Sequence, residues 1–503
     1  MSIRITGSAS GLDTDSMVKE LVHAYDEQGQ KYTKARTKTE WKQEAWKTLN
    51  GKIKSFYSKY ASNMRFSGNY NKKATSVSDS SKVSVVAGGD AVSGIQKLKV
   101  TSLAAAGYLT GADLRKKYEG EDFEVSGETT LGKLGFTGST VIRIGQGQPD
   151  KDGNYASVKE FEVDEDTTID QFANFVKTAG YNANFDEGTG RLFISSKETG
   201  LDNDFSFIGG SEVTDLLGIT GSGFNKQPAA DASINLNGVD FFSSSNSFSI
   251  NGLTITAKAL TDDEYVTLNT DTDVDGIYNG IKDFIKEYNS LINEMDKLFN
   301  APSAKKYDPL TSEEKDAMTD EEIEKWETKI KDSLLRRDGD LDTISNALKT
   351  SMLKTFDIDG KTYSLSSFGI NTLGYFDSAD NEKNAFHIDG DKDDANSSAN
   401  ADKLRAMIAS DPNAVSSFFS QLASGMYDAL YKIEKESNNY TTFGSFYSDK
   451  KLQSEYDEQT KQISKWEKYV ADQEDKYYKQ FAAMESSLSS MQSQQNYLSQ
   501  LFS

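Results

Sequence analysis

The C-terminal stretch of the chain carries apolar side chains at regular steps of three and four. The pattern starts at Leu452 and ends at Phe502, and neither Gly nor Pro interrupts it. This spacing predicts a coiled-coil helix, which would be about 75 Å long at 1.5 Å per residue. Two consecutive steps of four around Tyr477 indicate a stutter, where the supercoil unwinds locally. The apolar positions of the predicted seam are Leu452, Tyr456, Ile463, Trp466, Val470, Tyr477, Phe481, Met484, Leu488, Met491, Leu498 and Phe502.

Residues 14–66 repeat the pattern near the other end of the chain. Asp13, Thr14 and Asp15 supply N-cap oxygens and negative charge where this helix should begin. Gly29 and Gly51 each weaken the helix by about 1 kcal/mol relative to Ala. From Met17 onward the residues that we assign to its seam are Leu21, Tyr25, Tyr32, Trp46, Leu49, Ile53, Phe56 and Tyr60.

Neither terminal helix can bury its apolar stripe alone. We therefore expect the first helix to pack against the last, with the middle of the chain inserted between them. Glutamines at Gln459, Gln473 and Gln495 interrupt the seam, and polar seam positions lower coiled-coil stability. Two interpretations remain open: the stripes form an internal bundle core, or part of the seam closes only against neighbouring subunits, since an exposed apolar patch usually marks an assembly surface.

The middle of the chain alternates apolar and polar residues with frequent turns, which predicts β-structure between about 73 and 270. We expect residues 81–88 and 96–104 to form a strand pair, and residues 141–147 and 159–166 to form a long hairpin. The predicted class is α+β multidomain, with a helical coiled-coil leg built from both termini and β-rich head domains. The predicted boundaries are 1–72 for N-terminal leg helices, 73–108 and 231–272 for two parts of one β domain, 109–230 for an inserted β-rich domain with one short helix, 273–450 for a helical bundle with a hairpin insertion near 356–390, and 451–503 for the C-terminal helix.

Further helices are predicted around the hairpin insertion. Residues 276–299 carry apolar residues along one side, and a charged stretch after them predicts two short helices beginning near Ser312 and Thr319. Residues 402–436 add two more, the second opened by Asp411 and Pro412, because Pro is tolerated in the first turn of a helix.

Composition and charge exclude several classes of protein. Acidic residues outnumber basic ones by 78 to 56, a net charge of −22, so binding to a phosphate backbone is disfavoured. Aromatic residues make up 11% of the chain, too many for a disordered protein. No apolar run approaches the roughly 20 residues of a bilayer helix, which predicts no membrane insertion. The first residues lack the apolar core of a cleavable secretory signal.

Little in the sequence favours catalysis or a cofactor. The chain has no Cys and two His, His23 and His387, which excludes thiol nucleophiles and Cys-ligated metals. Asp271–Gly276 matches the start of a calcium loop, but Lys282 stands where the bidentate Glu should be. We therefore predict no catalytic residue, no metal and no cofactor, and interpret the acidic clusters at Asp150–Asn154 and Asp389–Asp394 as turns.

Several segments resemble the flagellar filament cap family, hook-associated protein 2 (FliD). SGLDTDSMVKELV and TEWKQEAWKTLNGKIKSFYSKYASNM are similar to the N-terminus of that family. INLNGVDFFSSSNSFSINGLTITAK, FIKEYNSLINEMD and DPNAVSSFF resemble its central and C-terminal segments. TIDQFANFVKTAGYNANFDEGTGRLFISS is similar to a unit shared among flagellin-type proteins. Residues 110–165 match none of these segments.

The resemblance implies a secreted, extracellular protein at the distal tip of the bacterial flagellum. It implies a ring-like homo-oligomer of four to six subunits that helps flagellin to fold and insert. It further implies contact with the hook–filament junction protein, and export by the flagellar type III apparatus with a chaperone. Two alternatives remain: another flagellar axial protein, such as the hook–filament junction protein, and a secreted coiled-coil adhesin that binds a host surface through its β head.

Overall fold

The computed structural model describes residues 9–435 and 439–501 of the 503-residue chain. The chain divides into two compact units. The helical unit comprises the described residues up to Tyr70 and those from Val274 onward, and the β-rich unit comprises Asn71–Asp273.

The helices, numbered in chain order, are α1 Thr14–Phe56, α2 Leu114–Lys117, α3 Ile169–Thr178, α4 Ser211–Leu216, α5 Val274–Phe299, α6 Ser312–Asp316, α7 Asp320–Asp332, α8 Gly339–Met352, α9 Lys403–Ser410, α10 Pro412–Lys435 and α11 Asp449–Leu501. A π-helical turn, Tyr57–Ala61, continues α1, and short 3₁₀ turns occupy Ser67–Asn69, Leu201–Asn203 and Leu365–Phe368.

The strands, in the same order, are β1 Lys73–Val77, β2 Val83–Ala87, β3 Gly94–Ser102, β4 Tyr108–Thr110, β5 Ser139–Gln146, β6 Ser157–Asp164, β7 Asn182–Asp186, β8 Arg191–Ser195, β9 Phe205–Ile208, β10 Asn225–Gln227, β11 Ala232–Leu236, β12 Val239–Ser243, β13 Ser247–Ile250, β14 Leu253–Ala257, β15 Val266–Thr272, β16 Phe356–Ile358, β17 Lys361–Tyr363, β18 Ile370–Thr372 and β19 Phe386–Ile388.

The core of the helical unit forms around α5. Its apolar residues recur at helical spacing and are buried from Ile277 to Met295, and they pack with α8, α9 and α10 in one hydrophobic cluster. Phe418 and Phe419 of α10 lie against Phe368, with ring centroids 4.8 and 5.4 Å away. The second half of α1 joins this core rather than facing solvent.

Side-chain caps explain where several helices begin. Thr311 and Thr319 form capping boxes with Glu314 and Glu322, so α6 and α7 start where the sequence predicted. Each box satisfies two backbone amides that lack a partner within the helix. Helix α8 was not predicted from the sequence, although Asp338 caps its first turn.

The β-rich unit contains two hydrophobic cores. One is built by a five-stranded sheet, ordered β1-β15-β3-β11-β12, and a three-stranded sheet, ordered β13-β14-β2. The other is built by a four-stranded sheet, ordered β10-β4-β8-β7, a three-stranded sheet, ordered β6-β5-β9, and helix α3. The second core uses residues 109–219 and is nested in sequence between strands of the first.

The predicted pairing of residues 81–88 with 96–104 is wrong. Strand β2 pairs with β14, whereas β3 pairs with β15 and β11 in another sheet. Local alternation identifies a strand, but the partner of a strand depends on which buried faces meet in three dimensions. The predicted hairpin of residues 141–147 with 159–166 is confirmed, since β5 and β6 pair antiparallel along their whole length.

Two Asn-Gly turns join the hairpins β11–β12 and β13–β14. Asn237 and Gly238 have φ of 51° and 90°, and Asn251 and Gly252 have φ of 48° and 78°. Positive φ at both central residues gives the turn twist that matches paired antiparallel strands. The predicted α+β multidomain class, with terminal helices packed together and β-rich domains between them in sequence, is confirmed. Among the described helices, none combines the length and apolarity that a bilayer crossing requires.

Candidate assembly surface

The first half of α1 packs against α11. Val18, Val22 and Tyr478 form a small buried cluster. Val470, Tyr477 and Phe481 pack around it and are partly buried. The predicted packing of the first helix against the last is therefore confirmed. The apolar cluster buried between the two helices is small.

The indole of Trp466 lies directly on the backbone of α1 at Gly29. Its Nε1 donates a hydrogen bond of 2.8 Å to the carbonyl oxygen of Tyr25, one helical turn before Gly29. A Cβ built at Gly29 would lie 2.2 Å from Cδ1 of Trp466, far inside van der Waals contact. Gly29 thus provides the space that lets the two helices approach here.

Aromatic side chains continue the contact on both sides of Trp466. Tyr32 packs on the indole with ring centroids 6.1 Å apart, and Tyr25 meets Tyr469 edge-on at 5.8 Å. The hydroxyls of Tyr25 and Tyr477 lie 3.3 Å apart. This hydrogen bond, with a smaller contribution from burial, raises the pKa of Tyr477.

Hydrogen bonds connect the start of α1 and the residues before it to α11. The Tyr478 hydroxyl donates to Asp15 Oδ1 at 2.7 Å. Glu485 accepts hydrogen bonds from the backbone amides of Ala9 and Ser10, at 2.8 and 3.1 Å, and from the Ser10 hydroxyl. The hydrogen bond from the Ser10 hydroxyl, followed by that from the Ala9 amide, lowers the pKa of Glu485.

The predicted N-cap is formed by Asp13. Its carboxylate accepts from the backbone amide of Ser16 at 3.0 Å and from the Ser16 hydroxyl at 2.7 Å. The hydroxyl contact is the main cause of the lowered pKa of Asp13. Of the other two residues predicted at this helix start, Thr14 is buried and Asp15 makes the contact to Tyr478.

The structure distributes the predicted seam residues over three environments. Those buried in the core of the helical unit, or packed against it, are Trp46, Leu49, Ile53, Phe56, Tyr60 and Leu452. Those half-buried along α1 and α11 are Tyr25, Tyr32, Tyr456, Ile463, Trp466, Val470, Tyr477, Phe481, Met484 and Leu488. The exposed ones are Leu21, Met491 and Leu498, and Phe502 lies outside the described residues.

At the start of α1 the internal contact uses Val18 and Val22 instead of Met17 and Leu21. Leu21 is 43% exposed. Neighbouring positions on a helix differ by about 100° of rotation, so Leu21 faces away from this cluster. Its assignment to a contact with another subunit stays a prediction.

The last turns of α11 present apolar side chains to solvent. Met491 is 61% exposed and Leu498 is 53% exposed, and because they are seven residues apart they share one face of the helix. Tyr497 is exposed beside them. We call Met491, Tyr497 and Leu498 the α11 patch. Exposed apolar residues grouped at one end of a helix are typical of a surface that another chain covers.

The sequence pattern did not identify as contact residues Gly29, Val18, Val22, Tyr478 and Glu485. The only signal for Gly29 was a glycine inside a long helical pattern. Val18 and Val22 adjoin equally apolar residues, so the pattern alone did not favour either pair.

The acidic loops are held by ordinary polar contacts. Lys282 Nζ lies 2.6 Å from Asp391 Oδ1 and 2.6 Å from Asp393 Oδ2. Burial disfavours the ammonium, but these two hydrogen bonds outweigh it and raise the pKa of Lys282. His387 Nδ1 lies 2.6 Å from Asp394 Oδ2, and His23 is exposed on α1. In the described ranges, no group of three or more His, Cys, Asp or Glu is arranged to hold a metal ion.

Comparison with known protein families covers most of the chain. Residues 229–493 match the model of the flagellar hook-associated protein 2 C-terminus, and residues 10–107 match that of its N-terminus. The chain belongs to the flagellar hook-associated protein 2 family. The C-terminal match includes β11–β15 and the helical unit through most of α11, and the N-terminal match includes α1.

Individual proteins of the hook-associated protein 2 family match this chain over all or part of its length. A protein of Halalkalibacterium halodurans with this name is 24% identical over 99% of this chain and 100% of its own length. Another from Thermotoga maritima is 24% identical over 68% of this chain and 53% of its own length. The crystal structure of the D1-D2-D3 domains of the flagellar cap protein FliD from Escherichia coli, 20% identical, covers 83% of this chain and 99% of that one with a TM-score of 0.54, which supports the same fold.

Membership of the hook-associated protein 2 family confirms the predicted function as a flagellar filament cap protein. The adhesin and the hook–filament junction protein are not favoured. A location at the flagellum follows from the same membership. Because this is a family of structural cap proteins, it agrees with the prediction of a protein without catalytic residues, and the absence of enzymatic activity stays a prediction.

Proposed function

We propose that this protein forms a ring-like homo-oligomer of four to six subunits at the distal tip of the filament, where it helps flagellin subunits to fold and insert. The observation that carries the proposal is the α11 patch. Met491 and Leu498 are large, apolar and exposed on one face of a helix whose earlier turns pack against α1. A second chain that covers this face would remove the apolar surface from water.

The weakness of the α1–α11 contact suits a cap that must move as subunits insert. Its buried cluster consists of Val18, Val22 and Tyr478, and Gln459 and Gln473 occupy two seam positions in place of apolar residues. A small core with polar interruptions is stabilised by little apolar burial. Contacts of this kind form and separate more readily than a continuous apolar seam.

Further partners follow from the proposed place in the flagellum. The protein would be secreted and extracellular, exported by the type III apparatus with a chaperone, and would meet the hook–filament junction protein. The net charge of −22 supports a role without nucleic acid, because like charges repel. The described helices support a role without membrane insertion, since none has the required length and apolarity.

Complementation of a deletion strain tests the proposal. We expect the deletion to abolish swimming and to release flagellin into the medium, and the unaltered gene to restore both. A variant with Met491→Ser, Tyr497→Ser and Leu498→Ser should leave flagellin in the medium. Its matched control carries Ser at the exposed polar positions Gln494 and Gln495, because this introduces Ser into the same turns without removing apolar surface.

Two outcomes contradict the proposal. Retained swimming with lost attachment in the deletion strain would favour an adhesin. Full complementation by the triple Ser variant would show that the α11 patch is not the surface that meets other chains. A second measurement is amide exchange over residues 485–501, which should slow in the assembled cap relative to the monomer.

A further inference from the structure

The loop between β18 and β19 presents two aromatic side chains to solvent. Phe376 is 95% exposed, and Tyr375 packs against it edge-on at 5.5 Å and is exposed as well. The two strands that carry the loop pair with each other. Asn289 of α5 holds the start of β19 by accepting from the amide of Phe386 and donating to its carbonyl oxygen, at 2.8 and 2.7 Å. The strands that carry the aromatic pair are therefore held in place by hydrogen bonds to each other and to α5.

The same loop carries unpaired negative charge. Asp377, Asp380 and Glu382 are exposed, and none of them forms an ion pair with a described residue. The cation of the loop, Lys383, lies over the Tyr375 ring at 3.5 Å from its centroid. We call residues 373–385 the aromatic loop. It combines an apolar centre with three free carboxylates.

A cleft elsewhere in the helical unit has the opposite character. It has a volume of about 460 Å³ and lies between α1, residues 303–305, residues 333–336 and Gln459 of α11. Its apolar lining comes from Ala35, Ala304 and Leu334, and its cations are Lys38, Lys42, Lys305 and Arg336. Among the described residues, no carboxylate lines it. We call it the basic cleft.

Most of the cations of the basic cleft are not neutralised within the chain. Lys42 is paired with Asp338 at 2.8 Å. Lys38, Lys305 and Arg336 form no ion pair with any residue in the described part of the chain. In a protein with a net charge of −22, three cations grouped around an apolar cleft without carboxylates are available to a negatively charged partner.

We propose that the aromatic loop of one copy docks in the basic cleft of the next. Three free carboxylates flank an exposed aromatic pair on one side, and three free cations rim an apolar cleft on the other. Aromatic side chains are frequent energetic centres of interfaces, and complementary charge fixes the orientation of the partners. The inference rests on the proposed function and deepens it by assigning, besides the α11 patch, a second contact between cap subunits.

The arrangement accounts for a ring rather than a symmetric pair. The aromatic loop and the basic cleft share no residue, so a copy that offers its loop to one neighbour keeps its cleft free for another. A contact between two different patches is heterologous, and repetition of such a contact closes into a ring when the rotation allows it.

Charge reversal in the full-length protein tests the inference. The loop variant carries Asp377→Lys, Asp380→Lys and Glu382→Lys, and the cleft variant carries Lys38→Glu, Lys305→Glu and Arg336→Glu. In the loop variant both patches are positive, and in the cleft variant both are negative. We expect the concentration for half-assembly, measured by sedimentation and native mass spectrometry, to rise at least about tenfold for each variant alone, because juxtaposed like charges repel.

Mixing the two variants gives the decisive result. Each positive loop then faces a negative cleft and each negative loop a positive cleft. An equimolar mixture should therefore form oligomers again, as alternating closed rings when the subunit number is even and as alternating open chains when it is odd. Such rescue also shows that both variants fold. A control variant reverses three exposed carboxylates of the β-rich unit, Asp152→Lys, Glu198→Lys and Glu212→Lys, and should assemble as the parent protein does.

Several outcomes overturn the inference. They are assembly of either variant at the parent concentration, no rescue in the mixture, and loss of assembly in the control variant. If these occur while the parent still assembles and complements the deletion strain, the proposed function stands and this interface fails alone. If the unaltered protein stays monomeric and the deletion strain still swims, both the proposed function and the proposed interface are contradicted.

Discussion

Trp466 of α11 rests on Gly29 of α1, with its Nε1 donating to the carbonyl oxygen of Tyr25 at 2.8 Å. The nearest indole carbon lies 2.2 Å from where a Cβ at position 29 would stand. No other side chain fits at this position without moving the indole. The pair therefore sets the alignment of the two helices along their axes.

Gly29→Ala should destabilise the α1–α11 contact, because the added methyl overlaps the indole. Overpacking of this kind typically costs about 1–3 kcal/mol. Gly51→Ala is the matched control, since a Cβ there would meet nothing within 4 Å and Ala favours a helix by about 1 kcal/mol over Gly. Amide exchange over residues 20–35 and 460–470 measures the difference. Equal stabilisation by both substitutions would contradict the role of Gly29.

Tyr478→Phe should weaken the same contact by about 1 kcal/mol, because it removes the 2.7 Å hydrogen bond to Asp15 while keeping the buried ring. Tyr497→Phe, on an exposed tyrosine of the same helix, should have no effect. Amide exchange of the first turns of α1 reports both changes. If the two variants behave alike, the hydrogen bond contributes nothing to the packing of the helices.

The contact of Glu485 with the start of the described chain should depend on acid pH. The lowered pKa of Glu485 means that its contribution is fully present above the ordinary value of 4.5 and is lost as pH falls through the lower folded value. The backbone amide resonances of Ala9 and Ser10 should therefore shift with a midpoint below 4.5. Glu485→Gln should abolish this transition, and Glu467→Gln, exposed on the same helix, should leave it in place.

Lys349→Met should strongly destabilise the helical unit. Asp296 is buried, and its two oxygens accept from Lys349 at 2.6 Å and Asn384 at 2.7 Å. Removing the cation leaves the buried carboxylate with only the hydrogen bond from Asn384, and breaking a buried ion pair in this way typically costs about 3–5 kcal/mol. Lys325→Met removes an exposed pair with Glu321 and should change stability by less than about 1 kcal/mol. Urea unfolding followed by amide exchange in α5 and α8 distinguishes the two.

Much of the helical architecture is predictable because it depends on local periodicity and caps. The starts of α6 and α7 follow from Thr311 and Thr319 and the Glu three residues after each. The start of α10 follows from Pro412. Pro lacks a backbone amide hydrogen, and in the first turn of a helix that amide would have no carbonyl partner within the helix. Helix α8 was missed because its signals, Asp338 and the apolar spacing after it, follow directly on the charged helices before it.

The pairing of strands was less predictable than their positions. Hairpins such as β7 with β8 and β11 with β12 are predictable, because a short turn joins two strands that are consecutive in sequence. The separation of β2 and β3 into different sheets does not, because both alternate in the same way. Their partners, β14 and β15, lie more than 150 residues away in sequence and are chosen by packing.

By itself, the sequence determined that the two ends of this chain are long helices, that the middle is β-rich, and that the family is that of hook-associated protein 2. Periodicity, capping residues and shared segments are local properties that can be read in order along the chain. Only the tertiary structure decided that Val18 and Val22 rather than Met17 and Leu21 meet α11, that Gly29 accommodates Trp466, and that an acidic aromatic loop and a basic cleft occur on one unit. These depend on which surfaces come together after folding, and neighbouring apolar residues carry no information about that choice until the partner helix is in place.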